Sequence, residues 1–348
     1  MTKFHSLLLL VALTLGGCSI LEKPLTPKTS EATTAPPLVA QNTPTPKPTP
    51  PPIKAAIKPL NVAVLISRDI ENHHIIFHKI ERLILDKKGT VKPFYLYQQS
   101  DTAILEQIES GSHQQVVAIG LTAAKAAARL PRVPVIFCQV YNFQDHNLIN
   151  EYIKGVSLIP SVEQQLLAWK NVLPKLKQVG FITGNDKHSF IDSATKIAAT
   201  HQITLINRTV NNDKEMWAEF RRLTPQVDAF WLLPDNRILS KRTLHSIINY
   251  STKHGVPLFT INGLLLQAGA VISSTQMSDD IAEKVVSRLL SIKPDNTIPG
   301  IDIEPLTHAH TFINTQAIDR LDLTINNDTT TINLERWPSP GVNATLAQ

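Results

Sequence analysis

The chain has little of several things that mark particular classes of protein. Cysteine occurs only at Cys18 and Cys138 in 348 residues, so at most one internal disulfide is available. Aromatic residues make up 6% of the chain, and its 34 lysines and arginines are scattered rather than gathered into a stripe. Without a basic stripe and interleaved aromatics, nucleic acid is not an expected partner. Beyond the amino terminus, no hydrophobic run approaches the ~20 residues needed to cross a bilayer. A nucleophile elbow, a P-loop and a dinucleotide fingerprint are all missing, which argues against an enzyme. No cofactor is expected.

What is present starts at the amino terminus. Lys3 and His5 precede a short apolar run, Leu7–Leu15, and small residues follow it. That order describes a secretory signal peptide over residues 1–17. The run ends in Leu15-Gly16-Gly17-Cys18, which resembles the bacterial lipobox. The resemblance implies that Cys18 receives a diacylglycerol and becomes the acylated first residue of a lipoprotein, palmitate being one such chain. Each buried methylene contributes about 0.8 kcal/mol, so several acyl chains on one residue anchor it lastingly. An ordinary signal with a chance cysteine is the competing reading, but position, flanks and spacing agree on the lipobox. By analogy with Gram-negative sorting, Ser19 in place of aspartate implies the outer membrane, with the protein facing the periplasm. Cys138, in the apolar stretch Val133–Cys138, reads as a small hydrophobe in a buried strand.

Residues 18–58 are rich in proline, threonine and lysine and show no hydrophobic periodicity. Such a segment cannot bury enough apolar surface to offset the entropy of ordering it. Its prolines favour extended geometry, rising about 3.1 Å per residue. It reads as a stalk.

From Leu60 onward the composition is that of a globular body, with length for about two domains. "LNVAVLIS" (60–67), "VKPFYLY", "QQVVAIG" and "VPVIFCQV" read as strands, separated by helical patterns such as Ile76, Phe77, Ile80, Leu83 and Ile84. Asp69 and Asn72 offer start signals for that first helix. After "KGVSLIP" the rhythm restarts. Ser161 with Gln164 forms a capping box, followed by "QVGFITG", "ITLINRTV", "DAFWLLP" and "VPLFTIN" as strands between helices. Alternation of this kind implies parallel sheets, and two units in series imply two Rossmann-like lobes with a cleft between them. Ligands of parallel sheets bind beyond the carboxyl ends of the strands. The expected division is a first α/β lobe over 59–157, completed by roughly 262–323, a second over 158–261, and a tail over 324–348.

"VVAIGLTAAKAA", "VPVIFCQV", "KGVSLIPSVEQQLLAWKNVLPKLKQVGFITG", "VDAFWLLPDNRILS" and "HGVPLFTINGLLLQAGAV" occur in an order that resembles one family. It is the substrate-binding proteins of ABC transporters with the type I periplasmic-binding fold, in their uncharacterised-transporter branch. The resemblance spans most of Leu60 to Leu323 and implies a hinged interlobe cleft, a small polar ligand, amino-acid-like in some relatives, and an ABC permease as partner. Gly120, Leu121 and Thr122 stand where a strand yields to a helix, whose free N–H groups favour a carboxylate; a plain tight turn is the alternative. Asp235 and Asn236 match the Asp-Asn of the family motif and are candidates for a ligand ammonium or hydroxyl, or for a helix cap. Ser67, Arg68, Tyr141, Asn142, Asn185, Asn262 and Gly263 occupy equivalent strand-end loops. Ser278 and Ala282 stand where the family often has a tyrosine and a glycine, and the Leu121-Thr122-Ala123 loop lacks the usual proline. Aromatic-amino-acid specificity is therefore not carried over.

His74 and His78 stand four apart on the first helix, near His73 and Glu81, and His308 and His310 alternate on a later strand. Neither group has a further ligand motif, and exposed histidines are the expected outcome; no metal is expected. Two functions remain. One is a solute-binding lipoprotein serving an ABC transport system. The other is an envelope interaction protein that uses the same fold to contact an enzyme or receptor.

Overall fold

The computed structural model describes residues 60–111, 113–185, 188–326 and 334–337. The signal peptide, Cys18 and the stalk lie outside the described residues. The first half of the body alternates β1 (Asn61–Ile66), α1 (Glu71–Asp86), β2 (Thr90–Tyr95), α2 (Asp101–Ser110), β3 (Gln115–Ile119), α3 (Leu121–Ala127), β4 (Val135–Cys138) and β5 (Ile153–Val156). The rhythm restarts with α4 (Val162–Val172), β6 (Gln178–Thr183), α5 (His188–Thr200), β7 (Thr204–Thr209), α6 (Asp213–Leu223), β8 (Ala229–Leu232), α7 (Lys241–His254) and β9 (Leu258–Thr260). It closes through α8 (Leu264–Gln267), β10 (Ile272–Thr275), α9 (Ser278–Ser291), β11 (Ile303–Glu304), β12 (His310–Asn314), α10 (Thr315–Arg320) and β13 (Leu334–Trp337).

Two sheets result, one per lobe. The first runs β11-β5-β4-β3-β1-β2 and is parallel throughout. The second runs β13-β12-β10-β9-β8-β6-β7 and is parallel except where β10 meets β12. Central strands of such sheets are buried on both faces, which explains their unbroken aliphatic runs. Along β1 the alternation is read by the packing. Val62, Val64 and Ile66 meet α1 and α9, while Ala63 and Leu65 meet α2 and α3. In the second lobe Phe181, Trp231 and Phe259 pack under α4 and α5, with the Trp169 and Trp231 rings 5.2 Å apart edge to face. Cys138 is fully buried in the first core, and burial pushes its thiol up to about 12.

Local signals fix several boundaries. Ser161 Oγ accepts from the Gln164 N–H at 3.3 Å, as the capping box implies. Helix α1 starts differently from expectation. Its N-cap is Ile70, which provides no side-chain bond, and Asp69 instead pairs with His74 Nε2 at 2.8 Å.

Residues 262–323 do not lie with the first lobe as a block, because β10 and β12 join the second sheet. Ile272 and Ile313 are buried in that lobe's core, packed with Phe259, Val271 and Ile318. Helix α9 and β11, between them in sequence, pack on the first lobe. The tail is not wholly outside the fold either, since β13 pairs with β12. The chain therefore crosses between lobes after β5, between β10 and α9, and between β11 and β12.

Candidate functional site

Loops leaving the carboxyl ends of β1, β3, β4 and β8 line one cavity of about 620 Å³ between the lobes. Of the residues singled out in the sequence, Ser67, Arg68, Gly120, Leu121, Thr122, Tyr141, Asn142 and Asn236 are on its wall. Ser67 is buried, and its Oγ accepts from the Ala123 N–H at 2.8 Å, across from β1 to the start of α3. That bond uses one of the N–H groups the sequence assigned to a ligand carboxylate. Helix α3 spans only 7 residues, so its dipole is short. Gly120 takes φ +89°, a left-handed backbone that favours glycine, and an added Cβ would sit 2.8 Å from Ser67 Oγ.

The remaining candidates are placed elsewhere. Asn185 is exposed and donates to Asn211 instead of lining the cavity. Asn262 lines a separate, smaller pocket of about 200 Å³, and its Oδ1 accepts from the Leu264 N–H at 3.1 Å. Gly263 begins α8, outside the main cavity.

Asp235 is closed off from the cavity by its own loop. It is 1% exposed, and its carboxylate accepts from Arg237 Nε at 2.9 Å and Nη2 at 2.6 Å. The group expected to meet a ligand cation therefore meets a cation of its own loop. Burial alone would raise the Asp235 pKa, but the hydrogen bonds and charge of Arg237, with a bond from Asn142, hold it below its ordinary value. Nor does a helix start at Arg237. The Asp235 carbonyl accepts from the Ile238 and Leu239 N–H groups in a turn, and α7 begins at Lys241.

Arg237 itself is on the cavity wall, and sequence reasoning passed it over. Its Nη1 donates to Asp145 Oδ1 of the first lobe at 2.9 Å. Beside this bond, Asn142 Nδ2 donates to Asp235 Oδ1 at 3.2 Å and to Asn236 Oδ1 at 3.1 Å. The loop after β4 is thereby fastened to the loop after β8. Gln139, at φ +60°, adds a second tie. Its Nε2 donates to Gln276 Oε1 at 2.6 Å, in the crossing between β10 and α9, and Gln276 Nε2 donates to the Leu158 carbonyl at 2.6 Å.

The helix histidines divide. His78 is exposed, whereas His73 is 6% exposed and on the cavity wall. The signal was in the spacing: His73 continues the buried stripe of Ile76, Phe77, Ile80 and Ile84. Among the described residues, no cluster of three or more His, Cys, Asp or Glu could hold a metal ion. A neighbouring cavity of about 450 Å³ shares Val140, Tyr141 and Leu158 with the main one, and is otherwise lined mostly by apolar residues such as Phe143, Phe190 and Ile197.

A two-lobed body with a polar cavity at its strand ends is what solute capture requires. The model of the ABC transporter substrate binding protein family matches residues 96–333, more than half the chain. The chain belongs to that family. Solved structures similar to this substrate-binding protein include a conserved domain protein from Vibrio cholerae, at 18% identity and a TM-score of 0.53, covering 80% of this chain and 100% of that one. An ABC domain in complex with L-Trp from Streptococcus pneumonia is 17% identical with a TM-score of 0.52, covering 79% of this chain and 99% of that one. A substrate binding protein with adhesive properties from Clostridium difficile, in its ligand-free, open structure, is 14% identical with a TM-score of 0.57, covering 80% and 98%. A search of curated proteins finds no match. At these identities the likeness is one of fold, and that fold is the type I periplasmic-binding fold.

Proposed function

We propose that this substrate-binding protein is a lipoprotein that captures a small polar ligand in the interlobe cavity and passes it to an ABC-type permease. The cavity carries this reading. Arg68, Thr122, Asn142, Asn236 and Arg237 converge on it from both lobes, and the interlobe bonds of Asn142 and Asp145 run along the same wall. A polar ligand held there meets fixed donors on both sides, and lobe closure excludes water from the contact. Capture of this kind breaks no covalent bond, so the protein acts as a binder and not as an enzyme. Export by residues 1–17, acylation at Cys18 and a stalk over 18–58 would place the body in the cell envelope. Ser19 supports the outer membrane, on its periplasmic side. No described helix is long and apolar enough to cross a membrane, and the N-terminal lipid is the proposed anchor.

A second reading, an envelope interaction protein without a transport role, is favoured by one observation. The carboxylate of the family's Asp-Asn motif, Asp235, is already occupied by Arg237. Thermal-shift screening against amino acids, nucleosides and sugars separates the two. Stabilisation by one class supports solute capture, and stabilisation by none favours the interaction protein.

A further inference from the structure

Helix α1 brings to the cavity a residue that the strand-end loops do not supply. His73 lines it together with Ser67, Arg68 and Gly120, and only 6% of its surface is exposed. Its Nδ1 has no hydrogen-bond partner. The backbone is shaped around the ring, since a Cβ on Gly120 would lie 3.0 Å from His73 Cε1. Buried polar groups in folded proteins are nearly always paired. A buried ring with Nδ1 left unpaired, on the wall of a cavity, therefore points to a partner that comes from outside the chain.

The surrounding charges indicate what that partner carries. The other ionisable groups on this wall are Arg68, Tyr141, Asp145, His146 and Arg237, and Asp69 and His74 stand at the start of α1. Asp145 is engaged by Arg237 at 2.9 Å, and Asp69 by His74 at 2.8 Å. Arg68 is the wall cation without an acid paired to it among the described residues. A negative group placed between Arg68 and His73 would meet a guanidinium on one side and a ring N–H on the other.

We propose that His73 is a ligand-binding residue that, with Arg68, receives a carboxylate of the solute; this rests on the solute-binding function proposed above. Burial lowers the His73 pKa, a hydrogen bond to the Arg68 backbone opposes that, and the charges of Arg68 and His74 add to the lowering. The ring is accordingly neutral at pH 7 before a ligand enters. A bound anion favours the charged imidazolium and raises the pKa again. The bound state then holds more protons than the free state, so carboxylate affinity rises as pH falls.

The test uses full-length protein carrying ¹⁵N-histidine. Succinate and L-tryptophan serve as carboxylate probes, with succinamide and L-tryptophan amide as counterparts that lack the carboxylate. An acid, but not its amide, should shift the His73 ring nitrogens and raise their titration midpoint. It should bind His73→Phe about tenfold more weakly than the unmodified protein, a loss of one decade in affinity. His73→Gln keeps an N–H donor, so it should retain most of the affinity and lose its dependence on pH, which a purely structural role would not produce. An acid that binds while the His73 resonances stay still removes His73 from the site and leaves solute capture intact. Binding of another solute class but of neither acid overturns the carboxylate assignment. Binding of no class removes the solute function and this proposal with it.

Discussion

Arg237 holds Asp235 through two parallel hydrogen bonds, at 2.9 Å from Nε and 2.6 Å from Nη2. Asp235 is 1% exposed, so the pair secures the cleft loop after β8 and does not present an open carboxylate to solvent.

Asp235→Ala should therefore act on folding. It leaves Arg237 facing a lost partner, at a cost of about 1–3 kcal/mol. The loss should be visible as a lower Tm without any ligand present. Because the folded pKa of Asp235 is depressed, its stabilising contribution is complete above the unfolded value of about 3.9 and is lost as pH falls through the folded value. The Tm difference between Asp235→Ala and the unmodified protein should accordingly shrink toward zero below about pH 4. An unchanged Tm at pH 7 would contradict the pairing.

The Asp145–Arg237 ion pair joins the lobes, and its side chains are 31% and 28% exposed. A partly solvated pair contributes about 0.2–1 kcal/mol and is screened by salt. Asp145→Asn should raise the open population and increase the radius of gyration in small-angle scattering at low salt. Added salt should shift the unmodified protein in the same direction and leave the variant nearly unchanged. Equal radii under all conditions would show that the pair does not restrain opening.

Gly120→Ala should damage both fold and site. The residue adopts φ +89°, and its new Cβ would meet Ser67 Oγ at 2.8 Å and His73 Cε1 at 3.0 Å. Left-handed backbone in a non-glycine residue costs on the order of 1–3 kcal/mol before any contact is counted. Thermal unfolding should show at least that loss, and a variant as stable as the unmodified protein would contradict this geometry.

The β-α rhythm was legible because buried parallel strands need continuous aliphatic runs, as β1, β3 and β4 have. Capping was legible where side chain and backbone cooperate, as at Ser161. The lobe membership of β10 and β12 was not, because sequence order says nothing about which sheet edge a strand joins after a crossing. The strand-end rule located Ser67, Arg68, Gly120 and Asn142 on the cavity. It misjudged Asp235, whose cation sits two residues away and reads as an ordinary surface arginine. It also passed over His73, which reaches the cavity from a helix face, although the apolar period of α1 already ran through it.

The lipobox makes its own prediction. Cys18→Ser should abolish labelling by radioactive palmitate in cells and leave an unprocessed or soluble form. Labelling at the unmodified level would remove the anchor proposed here.

The central claim is that a small polar solute binds between the lobes. Differential scanning fluorimetry of the full-length protein against amino acids, nucleosides and sugars tests it most directly, with each hit repeated on Arg68→Ala. A ligand at a hundred times its Kd contributes about 2.7 kcal/mol, which corresponds to a Tm rise of roughly 4–5 °C for a body of this size. One solute class should give such a rise, and Arg68→Ala should lose it. A rise that survives in Arg68→Ala would put the ligand outside this cavity, and no rise with any class would contradict solute capture itself.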